Sequence, residues 1–272
     1  MFAGKVWWIT GASSGIGEAL AEALAKDGAK LILSGRNVEA LNDVAKRADG
    51  ETLVLPFEAT DYVRIPALVE QAWNWGGRVD GLVNNAGISQ RSLAVDTVFE
   101  VYEKIIGVDL LAPIALTQAL LPRMTAAGGG DIVAISSVAG IAGPPLRSAY
   151  SAAKAGIIGY HDSVRAETTH LGMRVLVVAP GSVKTNVSKN ALDANAATRG
   201  VSDSVIDNGM DVGVAAGRIV DALRAGEREL ILAEGMEAEI ARLRRADPNK
   251  LFDLMVQLVA GGYAKQLGAE KS

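Results

Sequence analysis

Short apolar runs recur along the chain at Val6–Ile9, Leu31–Leu33, Leu53–Leu55, Leu82–Val83, Ile132–Ile135, Val175–Val178 and Leu230–Leu232. Continuous apolar character over so few residues suits strands buried on both faces. Between most of these runs lie stretches with helical periodicity. In the first, Leu20 and Leu24 share a face, Glu18, Glu22 and Lys26 supply polar positions, and Asp27-Gly28 reads as a helix stop. Parallel neighbours need crossover connections, and those are usually helices. The alternation therefore predicts an α/β chain: a single-domain Rossmann fold, a doubly wound parallel sheet of about seven strands with helices on both faces. Ligands of such sheets bind at the carboxyl ends of the strands.

No repeat, low-complexity segment or Pro-rich linker divides residues 1–272, so one domain is expected throughout. The polar stretch 186–210, poor in large apolar residues, reads as a substrate lid or a surface excursion. Residues 236–265 read as a helical extension, apolar on one side around Leu251–Val259. Packing against the domain or a second subunit is its main expectation; a pocket wall or peripheral membrane contact is the lesser one.

Composition narrows the function. A hydrophobic share of 49% supports a large core, and the net charge of −4, with no Lys/Arg-rich run, argues against nucleic acid as a partner. The absence of cysteine removes disulfides, thiol nucleophiles and thiolate metal sites. The start of the chain leads straight into the first apolar run with no room for a signal peptide, and no uninterrupted apolar run approaches the roughly 20 residues of a membrane span. No transmembrane segment and a cytoplasmic location are the expectations. His161 and His170 lack neighbours at metal-ligand spacing, so no metal is expected.

Immediately after the first run stands Thr10-Gly11-Ala12-Ser13-Ser14-Gly15-Ile16-Gly17. Glycines here permit a tight turn and close backbone approach to a pyrophosphate, with the next helix presenting its N–H groups. One strand later the chain reads Ser34-Gly35-Arg36-Asn37. No acid is present there to hold a ribose 2′-hydroxyl. Arg36 instead offers a planar donor fork for a 2′-phosphate, with Ser34 and Asn37 as neutral helpers. A charge-assisted hydrogen bond contributes about 1.5–3 kcal/mol, or about tenfold to hundredfold, so NADP(H) is the expected cofactor.

Tyr150-Ser151-Ala152-Ala153-Lys154 places a phenol and an ammonium at i and i+4 on the helix expected over Ser148–Leu171. Lys154 would stabilise a Tyr150 phenolate, letting the tyrosine exchange a proton. Ser137, thirteen positions earlier at the end of a strand, could hold a substrate oxygen. Asn84-Asn85-Ala86-Gly87 and Pro180-Gly181-Ser182-Val183-Lys184-Thr185 end two further strands with turn-forming residues. All converge on one edge of one sheet.

In combination, TGASSGIG, NNAG, Ser137, YSAAK and PGSVKT resemble the short-chain dehydrogenase/reductase family over residues 3 to 233. The resemblance implies Tyr150 as general acid/base, Ser137 orienting a carbonyl, and Lys154 both easing tyrosine deprotonation and holding the nicotinamide ribose. It also implies Asn85, Ala86 and Gly87 beside the cofactor, Val183 and Thr185 with the Pro180-Gly181 turn at the carboxamide, and Glu58-Ala59 at the adenine. NNAGISQRSL, PGSVKTNVSKNAL and Asn208-Gly209-Met210 are similar to the branch described as dehydrogenase/reductase member seven, which implies a lipophilic carbonyl or alcohol substrate. A homodimer or homotetramer packed through residues near 98–125 and 148–171 is implied as well.

Two positions depart from the family. Glu58 stands where Asp is usual, one methylene longer with the same acceptors. Asp109 stands where an Asn normally completes a proton relay, and an ionised Asp109 close to Lys154 would raise the lysine pKa. Three readings follow: an active NADP(H)-dependent carbonyl reductase or alcohol dehydrogenase, a non-catalytic NADP(H)-binding sensor or scaffold, and an epimerase or dehydratase. The last is disfavoured by the short C-terminal region. Substrate pocket walls are expected around Gln90-Arg91-Ser92, Pro144-Pro145-Leu146 and 186–210.

Overall fold

Each of the seven apolar runs forms a strand, its ends shifted by one or two residues from the run itself. In the computed structural model, which describes residues 1–266, these are β1 (Val6–Thr10), β2 (Lys30–Ser34), β3 (Thr52–Val54), β4 (Gly81–Asn84), β5 (Gly130–Ile135), β6 (Met173–Pro180) and β7 (Glu229–Leu232). They make one sheet in the order β3-β2-β1-β4-β5-β6-β7, and every pairing is parallel. Strand order reverses between β1 and β4, which opens a crevice at their carboxyl ends.

The crossovers are α1 (Gly15–Lys26), α2 (Val38–Ala48), α3 (Ile65–Gly76), α4 (Phe99–Ile106), α5 (Ala112–Ala126), α6 (Val138–Ala142) and α7 (Ser148–Thr168). After β6 come the short α8 (Ser204–Asp207) and α9 (Val212–Ala225), and after β7 come α10 (Gly235–Ala246), α11 (Pro248–Ala260) and α12 (Tyr263–Gln266). The helix expected to reach Leu171 is α7 followed by a 3-10 turn, Thr169–Leu171.

Strand alternation sorts the core into two layers. Trp7, Ile9, Leu31 and Leu33 face Leu20, Leu24, Leu41 and Ile219 of α1, α2 and α9. Trp8, Ile32, Leu82 and Ile132 face Leu68, Leu116, Leu120 and Val164 of α3, α5 and α7. Burying each such side chain stabilises the fold by about 1.5–3 kcal/mol. Trp8 brings a polar atom into this core and satisfies it: its indole Nε1 donates to Ser34 Oγ at 2.8 Å, and that hydroxyl donates to Leu55 O at 2.7 Å.

Helices α4 and α5 join through a π-helical turn at Gly107–Leu111, making a run over Phe99–Ala126 that is long and apolar enough by composition to cross a membrane. Asp109, Thr117 and Gln118 interrupt it, so it is not an uninterrupted apolar run. Its Val101, Ile105, Leu116 and Leu120 are buried within the domain, and its one wholly buried charge, Asp109, belongs to the site described next.

Segment 186–210 lies on the body of the molecule. Arg91 N donates to Leu192 O at 2.9 Å, Leu192 N to Ser89 O at 2.8 Å, and Val98 N to Ala194 O at 2.9 Å. Leu243, Leu251 and Met255 of α10 and α11 pack on Ala142 of α6, whereas Phe252, Val256 and Leu258 are exposed.

Candidate active site

The turn between β1 and α1 is shaped by glycine. Gly11 and Gly15 have φ of +65° and +60°, and a Cβ on Gly17 would lie 2.4 Å from Gly11 O. Ser14 caps α1 with extended backbone but makes no side-chain capping bond among the described residues. The first-turn N–H groups of Gly15, Ile16 and Gly17 thus have no side-chain acceptor, as an anion site at a helix start requires. Ser13 lies close by: its hydroxyl is 3.5 Å from where a Cβ on Gly35 would sit.

The turn after β4 is fastened to this one. Thr10 Oγ1 donates to Val83 O at 3.1 Å and accepts from the backbone N–H groups of Asn85 and Ala86 at 3.0 and 3.2 Å. Asn85 Nδ2 donates to Thr10 O at 3.0 Å and Gly11 O at 3.2 Å. The Asn85 amide therefore shapes the glycine turn. Gly87 follows, where a Cβ would stand 2.7 Å from Asp109 Oδ2 and 3.2 Å from Lys154 Nζ. Only a bare backbone fits over that pair.

Asp109 projects from the π-helical turn, a distortion that often marks functional positions. Its Oδ1 accepts from Ile88 N at 2.8 Å, and its Oδ2 is 3.2 Å from Lys154 Nζ, both side chains being buried. That second contact is an ion pair without hydrogen-bond alignment, so Oδ2 keeps an unused acceptor position among the described residues. Lys154 Nζ also donates to Ile135 O at 3.0 Å and lies 5.6 Å from the centre of the Tyr150 ring. Burial works against the Lys154 ammonium, but the Asp109 charge and then Tyr150 outweigh it and hold the lysine above its ordinary value. Burial pushes Asp109 above the usual carboxylate range, against Lys154 and the Ile88 N–H. The two shifts are two ends of one coupled pair.

Ser137 sits at the end of β5 and caps α6, its Oγ accepting from Ala139 N at 3.1 Å and donating to Pro180 O at 3.3 Å. Its neighbour Ser136 donates to Lys154 O at 2.8 Å, fixing α7 against β5. The turn after β6 closes the ring: Val183 is buried, and Thr185 Cγ2 is 3.0 Å from where a Cβ on Gly15 would sit. Gly11, Gly15, Gly87, Asp109, Ser137, Lys154, Pro180 and Thr185 are thus brought to one crevice at the carboxyl ends of β1, β4, β5 and β6.

The β2 end differs from expectation. Ser34 is fully buried with its hydroxyl committed between Trp8 and Leu55, so it cannot help hold a 2′-phosphate. A core tryptophan needing an acceptor was the available signal. Asn37 spends its side-chain oxygen capping α2, accepting from Ala40 N at 3.1 Å. Arg36 stands free in solvent at 73% exposure, with NH1 3.8 Å from Glu58 Oε2. Ala59 lines a small cleft with Thr10, Asn84, Ala86 and Val108.

A second buried constellation borders the site. Arg91 Nε pairs with Asp203 Oδ2 at 2.6 Å, each side chain 2% exposed, and Asp203 Oδ1 also takes Arg199 at 2.7 Å. Burial lowers the Arg91 guanidinium to about 10, with Arg147 adding to the effect and Asp203 opposing it. Asp203 had no local signal, being 112 positions from Arg91.

A sequence profile described as short chain dehydrogenase matches residues 5–196. The chain belongs to the short-chain dehydrogenase/reductase family of oxidoreductases, a family that binds a nicotinamide cofactor. Within the family it falls in the member-seven branch. It is 35% identical over 254 residues to mouse dehydrogenase/reductase SDR family member 7B, covering 91% of this chain and 79% of that one. Human member 7 is 40% identical over 195 residues, covering 69% and 58% of the two chains. Among solved structures, a short-chain dehydrogenase from Streptomyces avermitilis superposes with a TM-score of 0.77 at 32% identity, covering 96% of this chain and 97% of that one.

Proposed function

We propose that the chain is an NADP(H)-dependent carbonyl reductase, or the reverse alcohol dehydrogenase, acting on a lipophilic substrate. The observation that carries this reading is a buried Lys154 ammonium 5.6 Å from the Tyr150 ring, donating to Ile135 O two residues before Ser137 and lying under Gly87. A nicotinamide dinucleotide fits the residues present, because the α1 amides lack a side-chain cap and the backbone stays bare at Gly11, Gly17 and Gly87. When bound, it supplies the hydride donor or acceptor.

In the reduction direction Ser137 Oγ holds the carbonyl oxygen and Tyr150 delivers a proton to it. Lys154, buried beneath the surface, stabilises the phenolate left behind and offers its remaining donor to a ribose hydroxyl. Asp109 takes the relay position of the usual amide, its Oδ2 keeping an open acceptor position. Arg36 favours the 2′-phosphate, being solvent-facing and only loosely tied to Glu58. Pro144, Pro145 and Leu146, a few positions before Tyr150 in the chain, favour an apolar substrate. The exposed apolar Val98, Phe99 and Leu111 favour a homodimer or homotetramer packed through that face, which light scattering would read.

The test is loss of reduced-nicotinamide absorbance with NADPH and NADH in parallel against aromatic, steroid, retinoid and quinone carbonyls. NADPH-selective turnover, abolished by Tyr150→Phe, is the expected result. Tight NADPH binding with no turnover in either direction would move the sensor reading ahead.

A further inference from the structure

We propose that Glu237, in the C-terminal extension, is a positioning residue for the cofactor's nicotinamide end. The inference rests on the reading above that a nicotinamide dinucleotide binds in this crevice.

The turn after β6 carries Val183 and Thr185, the residues placed at the nicotinamide. Both oxygens of Glu237 bind the residue just before them: Ser182 N donates to Oε2 at 2.6 Å and Ser182 Oγ donates to Oε1 at 2.8 Å. This two-point clasp fixes a backbone unit as well as a side chain, so it sets the direction in which the turn leaves the strand. Gly181 makes the clasp possible. A Cβ there would lie 2.3 Å from Glu237 Oε2 and 3.0 Å from Ala233 Cβ, so any side chain at 181 would expel the carboxylate.

Glu237 is itself held in place. It lies in the first turn of α10, where the helix dipole favours a carboxylate. Leu243 of α10, with Leu251 and Met255 of α11, packs on Ala142 of α6, and Ser137 caps α6. The extension thus touches both walls of the reacting centre: the nicotinamide turn through Glu237, and the Ser137 turn through α6. The opposite side of the nicotinamide turn is tied through backbone, Met210 N donating to Ser182 O and Lys184 N to Met210 O, each at 2.9 Å. Ser182 is gripped from both sides.

A clasp at this point acts on one half of the dinucleotide only. The adenosine half is held around Gly11–Gly17, Arg36 and Ala59, at the β1 and β2 ends of the sheet. Losing Glu237 should therefore weaken the whole cofactor while sparing a fragment that lacks the nicotinamide.

Binding of NADPH and of adenosine 2′,5′-bisphosphate to the full-length protein, measured by calorimetry, tests this. Glu237→Ala is expected to weaken NADPH about tenfold to hundredfold and to leave the bisphosphate unchanged. Glu237→Gln is expected to restore most of the affinity, since its amide oxygen accepts from Ser182 N and its NH2 donates to Ser182 Oγ. Should Glu237→Ala fail to fold, Ser182→Ala removes one arm of the clasp and carries the same expectation at smaller size. Equal weakening of both ligands, or unchanged NADPH affinity, overturns the inference and leaves the functional reading standing. A parent protein that binds neither ligand overturns that reading, and the inference with it.

Discussion

At the scale of single residues, Asp109 puts a buried charge where the family carries an amide, and the consequence falls on Lys154. The carboxylate is what holds the ammonium above its ordinary value against burial. In Asp109→Asn the neutral amide keeps an acceptor for Ile88 N but withdraws the charge, so burial governs Lys154 and its pKa falls. Turnover is expected to survive, with the alkaline limb of the pH–rate profile displaced downward by about 1–3 units, the usual effect of one adjacent charge. Superimposable profiles would show that the charge has no part in the chemistry. His161 makes a separate prediction about stability. It is buried, its Nδ1 lies 2.9 Å from Ile157 O, and burial pushes its pKa down to about 4. Between there and the unfolded value near 6.5, the unfolded chain binds a proton that the folded chain refuses. Stability is therefore lost as pH falls through that window, by about 3 kcal/mol in all. Urea unfolding of the parent and of His161→Gln at a series of pH values should diverge in slope there; parallel curves would assign the acid lability elsewhere. Motif residues at this scale were legible because the chemistry dictates their type and spacing. Ser34 was misread because its partner, Trp8, lies on the neighbouring strand, so the need of a core tryptophan for an acceptor does not by itself point to Ser34.

Among the elements, the segment after β6 shows how a stretch without periodicity is held. Its backbone bridges to Ser89 and Arg91 are few, and the Arg91–Asp203 pair is wholly buried beneath it. Removing one partner from such a pair leaves an uncompensated charge and costs about 3–5 kcal/mol. Because the segment contributes Asp203 and little apolar area, the loss should appear as local opening before global unfolding. Asp203→Asn is expected to speed tryptic cleavage after Lys189 and Arg199 by at least about tenfold, with little change at sites in α1 or α7. Unchanged cleavage would mean that the backbone bridges alone hold the segment. The strands were legible because burial on both faces demands unbroken apolar runs. The π-helical turn was not: Gly107-Val108-Asp109 reads as ordinary helix, and Asp109 meets Gly87 and Lys154 only across distant segments. Nor was the role of α10 legible, since Glu237 meets Ser182 across 55 positions.

For the whole molecule, the crevice draws residues from β1, β2, β4, β5, β6 and α7, so unfolding any layer dissolves the cofactor site. Binding is then linked to global stability. NADPH at a hundred times its Kd adds about 2.7 kcal/mol, which for a chain of this size raises Tm by roughly 5–10 °C. Arg36 is the one side chain at the β2 end whose charge and exposure suit a 2′-phosphate, since Ser34 is committed to the core and Glu58 is the acid beside it. If Arg36 supplies the tenfold to hundredfold preference of a charge-assisted bond, NADH at the same concentration should give about half that shift or less. Thermal melts with each dinucleotide, on the parent and on Arg36→Ala, separate the possibilities. A difference that disappears in Arg36→Ala locates cofactor choice in this one guanidinium. Equal shifts in the parent would place Arg36 in its salt bridge to Glu58 instead, and the preference for NADP(H) would fall while the nicotinamide site itself stood.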